Sequence, residues 1–148
     1  MRKRLANIND IPALIELRKK QLIDEGLQPV HDIDKQLAEY FASAISDGSF
    51  VSWLMEADAE IIATSGVCVY SLPPTYSNPT GRVAYITNMY TKDEYRRNGI
   101  ARELLNMVIE EAKKRGYKII RLHTSEYGKN IYKKAGFIDS DGYMALKL

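Results

Sequence analysis

Arg96-Arg97-Asn98-Gly99-Ile100-Ala101 stands between a run of strand formers that ends near Thr91 and an amphipathic run that begins at Ile100. The first amide N–H groups of a helix have no intrahelical acceptor, and the helix dipole adds roughly half a positive charge there. A strand-to-helix turn of this kind can hold a pyrophosphate. Gly99 lets the backbone approach a ligand with no Cβ in the way. Arg96, Arg97 and Arg102 surround the turn with charge, either as phosphate contacts or as ordinary solubilising surface.

Reading outward, residues 82–91 form the strand that feeds the turn. Ile100, Ala101, Leu104, Leu105, Val108, Ile109 and Ala112 then repeat at helical spacing. Glu110 with Lys114 and Glu111 with Arg115 are i, i+4 pairs on that helix, and Gly116 ends it. Residues 118–124 continue as a strand parallel to the one before, a β–α–β unit. A short helix over residues 127–135, capped by Gly136, and a final hairpin through residues 137–148 close the chain.

Toward the amino end, a short strand around residues 4–7 precedes a helix from Ile11 with Asn9 or Asp10 as N-cap and Pro12 in its first turn. Gly26-Leu27-Gln28-Pro29 breaks it. Ile33, Leu37, Tyr40, Phe41, Ala44 and Ile45 mark a second helix closing at Asp47-Gly48. Residues 50–56 and 61–72 are strands joined as an antiparallel hairpin. The Pro-rich segment 73–81 is a stiff connection or a wall of a substrate pocket.

The chain of 148 residues reads as one domain over 1–148, with 45% hydrophobic and 27% charged residues. A net charge of +2 is too small to imply nucleic-acid binding. The basic run 113–118 with Arg121 is explained more cheaply by the dipole of the helix it ends, and no G-K-S/T follows the glycine as a phosphate-loop nucleotidase requires. Cys68 is the single cysteine and reads as a buried strand position, so no disulfide forms within the chain. No His or Cys cluster has metal spacing, and no metal is expected. No run approaches a membrane span and the amino end lacks a secretory apolar stretch, so the expected location is cytoplasmic.

Arg96-x-x-Gly99-x-Ala101 resembles the Q/R-x-x-G-x-G/A motif of the GNAT superfamily of acyl-CoA-dependent N-acetyltransferases. Two further elements keep the family's order. The strand Val83-Ala84-Tyr85-Ile86-Thr87-Asn88-Met89-Tyr90-Thr91 precedes the motif, and Ile131-Tyr132-Lys133-Lys134-Ala135-Gly136-Phe137 resembles the closing Y-x-x-x-G-F element. The resemblance implies an α/β fold with a mostly antiparallel sheet of six to seven strands, a parallel core of the fourth and fifth strands around the third helix, and about four helices. It implies acetyl-CoA as co-substrate and transfer to a primary amine of a small molecule or protein, with a homodimer as a possible assembly.

The same resemblance assigns residues. The turn Arg96, Arg97, Asn98, Gly99, Ile100, Ala101 and Arg102 would take the diphosphate, largely through backbone N–H groups. The backbone of Met89, Tyr90 and Thr91 would pair with the pantetheine amides as an added strand does, beside a bulge that splays the fourth strand from the fifth. The N–H of Met89 or Tyr90 would stabilise a tetrahedral oxyanion, and Tyr132 would protonate the departing thiolate. Ser125 replaces a common asparagine and keeps a hydroxyl for the pantetheine arm. Asn130 and Lys133, with Lys129, lie toward the nucleotide end. Tyr85 occupies the position of a glutamate base in some relatives and is a poor base itself, leaving Glu25, His31, Glu56 and His123 as candidates. Without a base, the alternative is an inactive acyl-CoA-binding sensor or partner module of the same fold.

Overall fold

Adjacent residues of the central strands look into different cores. In β3 (Trp53–Ala57), Leu54 packs with Leu14, Phe41, Ala44 and Phe50, while Met55 packs with Ile62, Ala63, Ile100 and Leu104. In β4 (Glu60–Ser71), residues 62–67 are all buried, because helices cover both sides of the sheet. The computed structural model describes residues 1–126, 128–140 and 142–148. Its other strands are β1 (Arg2–Leu5), β2 (Phe50–Val51), β5 (Arg82–Thr91) and β6 (Ile120–Leu122). They form a six-stranded sheet in the order β1-β3-β4-β5-β6, with β2 beside β4. Every pairing is antiparallel except β5 with β6.

Among the described residues four α-helices complete the α/β fold: α1 (Ile11–Asp24), α2 (Asp34–Asp47), α3 (Ile100–Lys114) and α4 (Lys129–Lys134). Leu14 of α1 and Phe41 and Ala44 of α2 cover one face. Leu105, Val108 and Ala112 of α3, with Tyr132 of α4, cover Ala84, Ile86 and Val67 on the other. Among the described residues, no helix is long and apolar enough to cross a membrane.

Several boundaries differ from the sequence expectation. The first strand ends at Leu5, because Asn7 is used in a cap: its side chain accepts from the Asn9 N–H (2.9 Å), and Asp10 accepts from the Asn7 N–H (2.8 Å). The strand expected over residues 50–56 is split at Ser52, whose Oγ donates to the Ser65 carbonyl (2.5 Å). Glu110 pairs with Lys113 (2.8 Å) in place of Lys114, whereas Glu111 does meet Arg115 (3.2 Å). The last helix begins at Lys129, and Tyr127 lies outside the described residues. Cys68 is half-buried, against the α2 side of the sheet.

The expected closing hairpin is absent among the described residues. Beyond Phe137, Ile138, Tyr143, Met144, Leu146 and Leu148 are exposed and unpaired. The strand that would receive the hairpin, β6, is itself only three residues long.

Gly66 fills the tightest space in the sheet. A Cβ there would stand 2.8 Å from Cε2 of Phe50 and 3.1 Å from the Thr87 carbonyl. Phe50 is 2% exposed and packed on Phe41 at 5.2 Å between ring centroids, so its ring has nowhere to retreat. Overpacking of this kind costs about 1–3 kcal/mol. Gly66→Ala is therefore expected to lower Tm by about 2–12 °C in a thermal melt, at about 2–4 °C per kcal/mol for a chain of this size.

Candidate active site

β5 is a run of strand formers interrupted by one residue that sheets disfavour. Asn88 is buried at φ 55°, a left-handed conformation that asparagine adopts more readily than branched residues. The register steps from Thr64↔Tyr90 to Gly66↔Thr87, three residues on β5 against two on β4, which is a β-bulge. Thr64 Oγ1 donates to the Asn88 carbonyl (2.7 Å) and pins it. On the opposite edge, pairing with β6 runs from Ala84↔Ile120 to Ile86↔Leu122 and stops. Past that point β5 has an edge that no strand among the described residues covers. Half-buried Met89 and Tyr90 lie on it. Thr91 is committed elsewhere, since its carbonyl accepts from Arg96 Nε (2.9 Å).

The turn after β5 has two left-handed residues, Arg97 at φ 65° and Gly99 at φ 77°. Successive N–H groups in such a turn converge into an anion-binding nest. The first α3 hydrogen bond to be accepted here runs from the Glu103 N–H to the Gly99 carbonyl, and no acceptor among the described residues takes the N–H groups of Arg97 through Arg102. The Asn98 amide braces the turn from inside by donating to the carbonyls of Tyr95 (3.1 Å) and Arg96 (3.3 Å). Ile100 contributes only backbone, its side chain being buried, and Ala101 is half-buried beside it.

The arginines divide their work. Arg96 bonds Asp24 (2.8 Å) and Asp93 (2.9 Å) and lies over the Tyr90 ring at 5.5 Å, so its charge is spent tying the turn to the end of α1. Arg97 and Arg102 make no ion pair among the described residues and remain exposed beside the free N–H groups.

Tyr132 is buried in the same apolar cluster as Ile86 and Leu105, against which Met89 also packs. Its ring meets Phe137 edge-on at 6.0 Å, which explains the Y-x-x-x-G-F spacing as one packing unit. Burial, with a smaller contribution from the Glu25 carboxylate, pushes its phenol up to about 12. No group among the described residues accepts from its hydroxyl. Ser125 builds the approach to α4, its Oγ accepting from the Gly128 N–H (3.3 Å). A Cβ on Gly128 would sit 2.6 Å from Tyr132 Cε2, so this glycine seats the tyrosine ring.

A cavity of about 400 Å3 opens beside Tyr132, lined by Tyr70, Tyr85, Arg121, His123 and Lys133 among others. Asn130 is exposed on α4 and does not line it. Neither does the Pro-rich segment 73–81. A second cavity, about 340 Å3 beside Trp53 and Glu103, shares no lining residue with the first.

Helix α1 carries residues that the sequence did not single out together. Arg18 Nη1 donates to Thr87 Oγ1 (3.2 Å) and to Gln21 Oε1 (3.1 Å), and buried Gln21 donates through Nε2 to Glu25 Oε1 (3.0 Å). This ladder runs from the residue before the bulge to the end of α1. The available signal was the spacing Arg18, Gln21, Glu25, which puts all three on one helical face.

The family model described as acetyltransferase (GNAT) family matches residues 11–137. The chain belongs to the GNAT acetyltransferase family. A solved structure described as a predicted acetyltransferase with acetyl-CoA, from Clostridium acetobutylicum, is 44% identical, with 99% of this chain and 95% of that one covered and a TM-score of 0.95. A GCN5-related N-acetyltransferase from Ralstonia eutropha JMP134 is 24% identical, with coverage of 99% and 97% and a TM-score of 0.90. The glucosamine-6-phosphate N-acetyltransferase of Arabidopsis thaliana is 19% identical, with coverage of 99% and 97% and a TM-score of 0.76. The last two show the shared fold alone. No curated protein matches the chain.

In this GNAT chain the base candidates separate by environment. Glu56 is bound to Arg4 (2.6 Å) and Arg2 (3.4 Å) on the far edge of the sheet. His31 is exposed ahead of α2, and His123, expected in a strand core, is exposed just past β6. Tyr85 is half-buried, and burial raises its phenol, which makes it a still poorer base near neutrality. Among the described residues no group of His, Cys, Asp or Glu is arranged to hold a metal ion.

Proposed function

We propose that this acetyltransferase moves an acetyl group from acetyl-CoA to a primary amine by direct attack. The observation that carries the reading is the bulge at Asn88. It leaves the edge at Met89 and Tyr90 uncovered between the free N–H groups of the 97–102 turn and the free hydroxyl of Tyr132. The 44% identical relative was solved with acetyl-CoA, and the residues here suit that molecule. The turn offers N–H groups and two free arginines to a diphosphate, and the open β5 edge offers backbone to an amide-bearing arm.

Each residue then has a chemical task. The backbone at Met89 or Tyr90 stabilises the oxyanion formed when the amine attacks the thioester carbonyl. Tyr132 donates its proton as the C–S bond breaks. Ser125, whose oxygen already accepts from Gly128, has its hydroxyl hydrogen left for the arm, and Lys133 lies beside the cavity where the nucleotide end would leave. A non-catalytic binding module would need neither a seated tyrosine nor an unengaged phenol.

Two measurements test the reading. Acetyl-CoA is expected to bind with micromolar Kd by calorimetry, and a panel of tyramine, spermidine, glucosamine and a lysine peptide is expected to yield at least one acceptor that releases free thiol. Binding without turnover across amines would favour the module; no binding at millimolar acetyl-CoA would remove both readings.

A further inference from the structure

We propose that Glu25 is the group that receives the acceptor as an ammonium ion and takes its proton, an assignment that rests on the amine-transfer reading above. Glu25 is the last rung of the ladder that begins at Thr87, beside the bulge, and passes through Arg18 and Gln21. Gln21 is only 7% exposed and is held at both ends, so it fixes the Glu25 carboxylate from inside the fold. One oxygen takes the Gln21 amide; the other has no partner among the described residues, and the side chain is open to water. A carboxylate anchored on one side and solvated on the other can collect a proton and release it.

Its charge also acts across the site. The end of α1 runs along the open part of β5, tied to Thr87 through Arg18 and to the turn through Asp24 and Arg96; burial raises the phenols of Tyr85 and Tyr132, and the Glu25 carboxylate adds a smaller contribution to each. The other charged or titratable groups around it are Arg18 two turns back on α1, Asp24 beside it and spent on Arg96, and Tyr70 and Cys68 on β4 behind Tyr85. None of these is a free base. Glu56 and the two histidines, the rival candidates, lie at other places in the fold.

The proton count closes. An ammonium acceptor loses one proton to Glu25, which passes it to water, and the neutral amine forms the C–N bond. As the C–S bond breaks, Tyr132 protonates the sulfur, and the remaining excess N–H proton restores the phenol. Pairing with the carboxylate holds the ammonium in place, and the proton it gives up leaves through Glu25 to water. Neutralising Glu25 also removes one of the two causes that hold the Tyr132 phenol up.

The test uses the whole protein with Glu25→Gln and Glu25→Asp, acetyl-CoA, and the best acceptor of the amine panel. Glu25→Gln is expected to lower kcat/KM for the amine at least 50-fold and to erase the acid-side limb of its pH profile. Acetyl-CoA affinity should stay within twofold, and Glu25→Asp should recover part of the rate. In parallel, 13C NMR of labelled tyrosine should show the Tyr132 phenol titrating at lower pH in Glu25→Gln. A Glu25→Gln enzyme with unchanged pH profile and kcat/KM within threefold overturns the proposal while leaving amine transfer intact. If wild type binds acetyl-CoA but acetylates no amine, the transfer reading and the proton role fall together. An unmoved Tyr132 titration independently overturns the placement of the carboxylate.

Discussion

Tyr132→Phe is expected to lower kcat by about 100- to 1,000-fold, within the range that a positioned general acid contributes, while acetyl-CoA affinity stays within about twofold. The substitution removes one hydroxyl and keeps the ring, so the edge-on contact with Phe137 at 6.0 Å and the packing beside Ile86 and Leu105 survive. The hydroxyl has no partner among the described residues, so its deletion breaks no hydrogen bond within the protein and is expected to change Tm little. A steady-state assay and a thermal melt thus separate chemistry from folding. Loss of rate together with a Tm drop of several degrees would make Tyr132 a structural residue. The pH dependence has a definite sign. In the proposed role the protonated phenol is the active form, and burial keeps it protonated up to about 12. Tyr132 should therefore impose no alkaline fall in kcat below about pH 10 in wild type, although an unburied phenol would begin to ionise there. Gly128→Ala gives an independent arm: it presses the ring through its Cε2 and should cut the rate without touching the 97–102 turn.

Gly99→Glu is expected to weaken acetyl-CoA binding by at least 100-fold in calorimetry. Two causes act together. Gly99 stands at φ 77°, where a side chain costs about 1–2 kcal/mol. The new carboxylate would also face the bound diphosphate among the free N–H groups, a like-charge contact of about 4 kcal/mol at 4 Å near a protein surface. Collision with the protein is not a cause, since the nearest atom to an added Cβ is Arg102 Nη2 at 3.9 Å. Gly99→Ala separates the two, because it carries the strain without the charge and should lose much less affinity. Equal losses in both variants would mean that turn conformation, rather than anion recognition, governs binding. Unchanged affinity in Gly99→Glu would remove the diphosphate from this turn.

The parts of the site legible in the sequence are those made by local chemistry. Gly99 before an amphipathic run announces a helix start with unmet N–H groups, and Tyr132 with Gly136-Phe137 announces a ring packed on its own turn. Asn88 read only as part of the strand over residues 83–91, because its left-handed conformation comes with a contact from Thr64, 24 residues away, to its carbonyl. The ladder from Thr87 to Glu25 was hidden for the same reason: Arg18 and Thr87 are 69 residues apart in the chain. The closing hairpin expected over residues 137–148 does not form among the described residues, and pairing with a distant strand is not a property that the segment itself carries.

Periodicity along the chain was enough to settle the α/β class, the two amino-terminal helices, the strand at Arg82–Thr91 and the turn that starts α3, since each depends on neighbours within a few residues. The bulge, the uncovered β5 edge, the spent charge of Arg96 and the ladder from Thr87 to Glu25 arose on folding. They are contacts between segments far apart in the chain, and local propensity carries no information about which partner a buried group will meet.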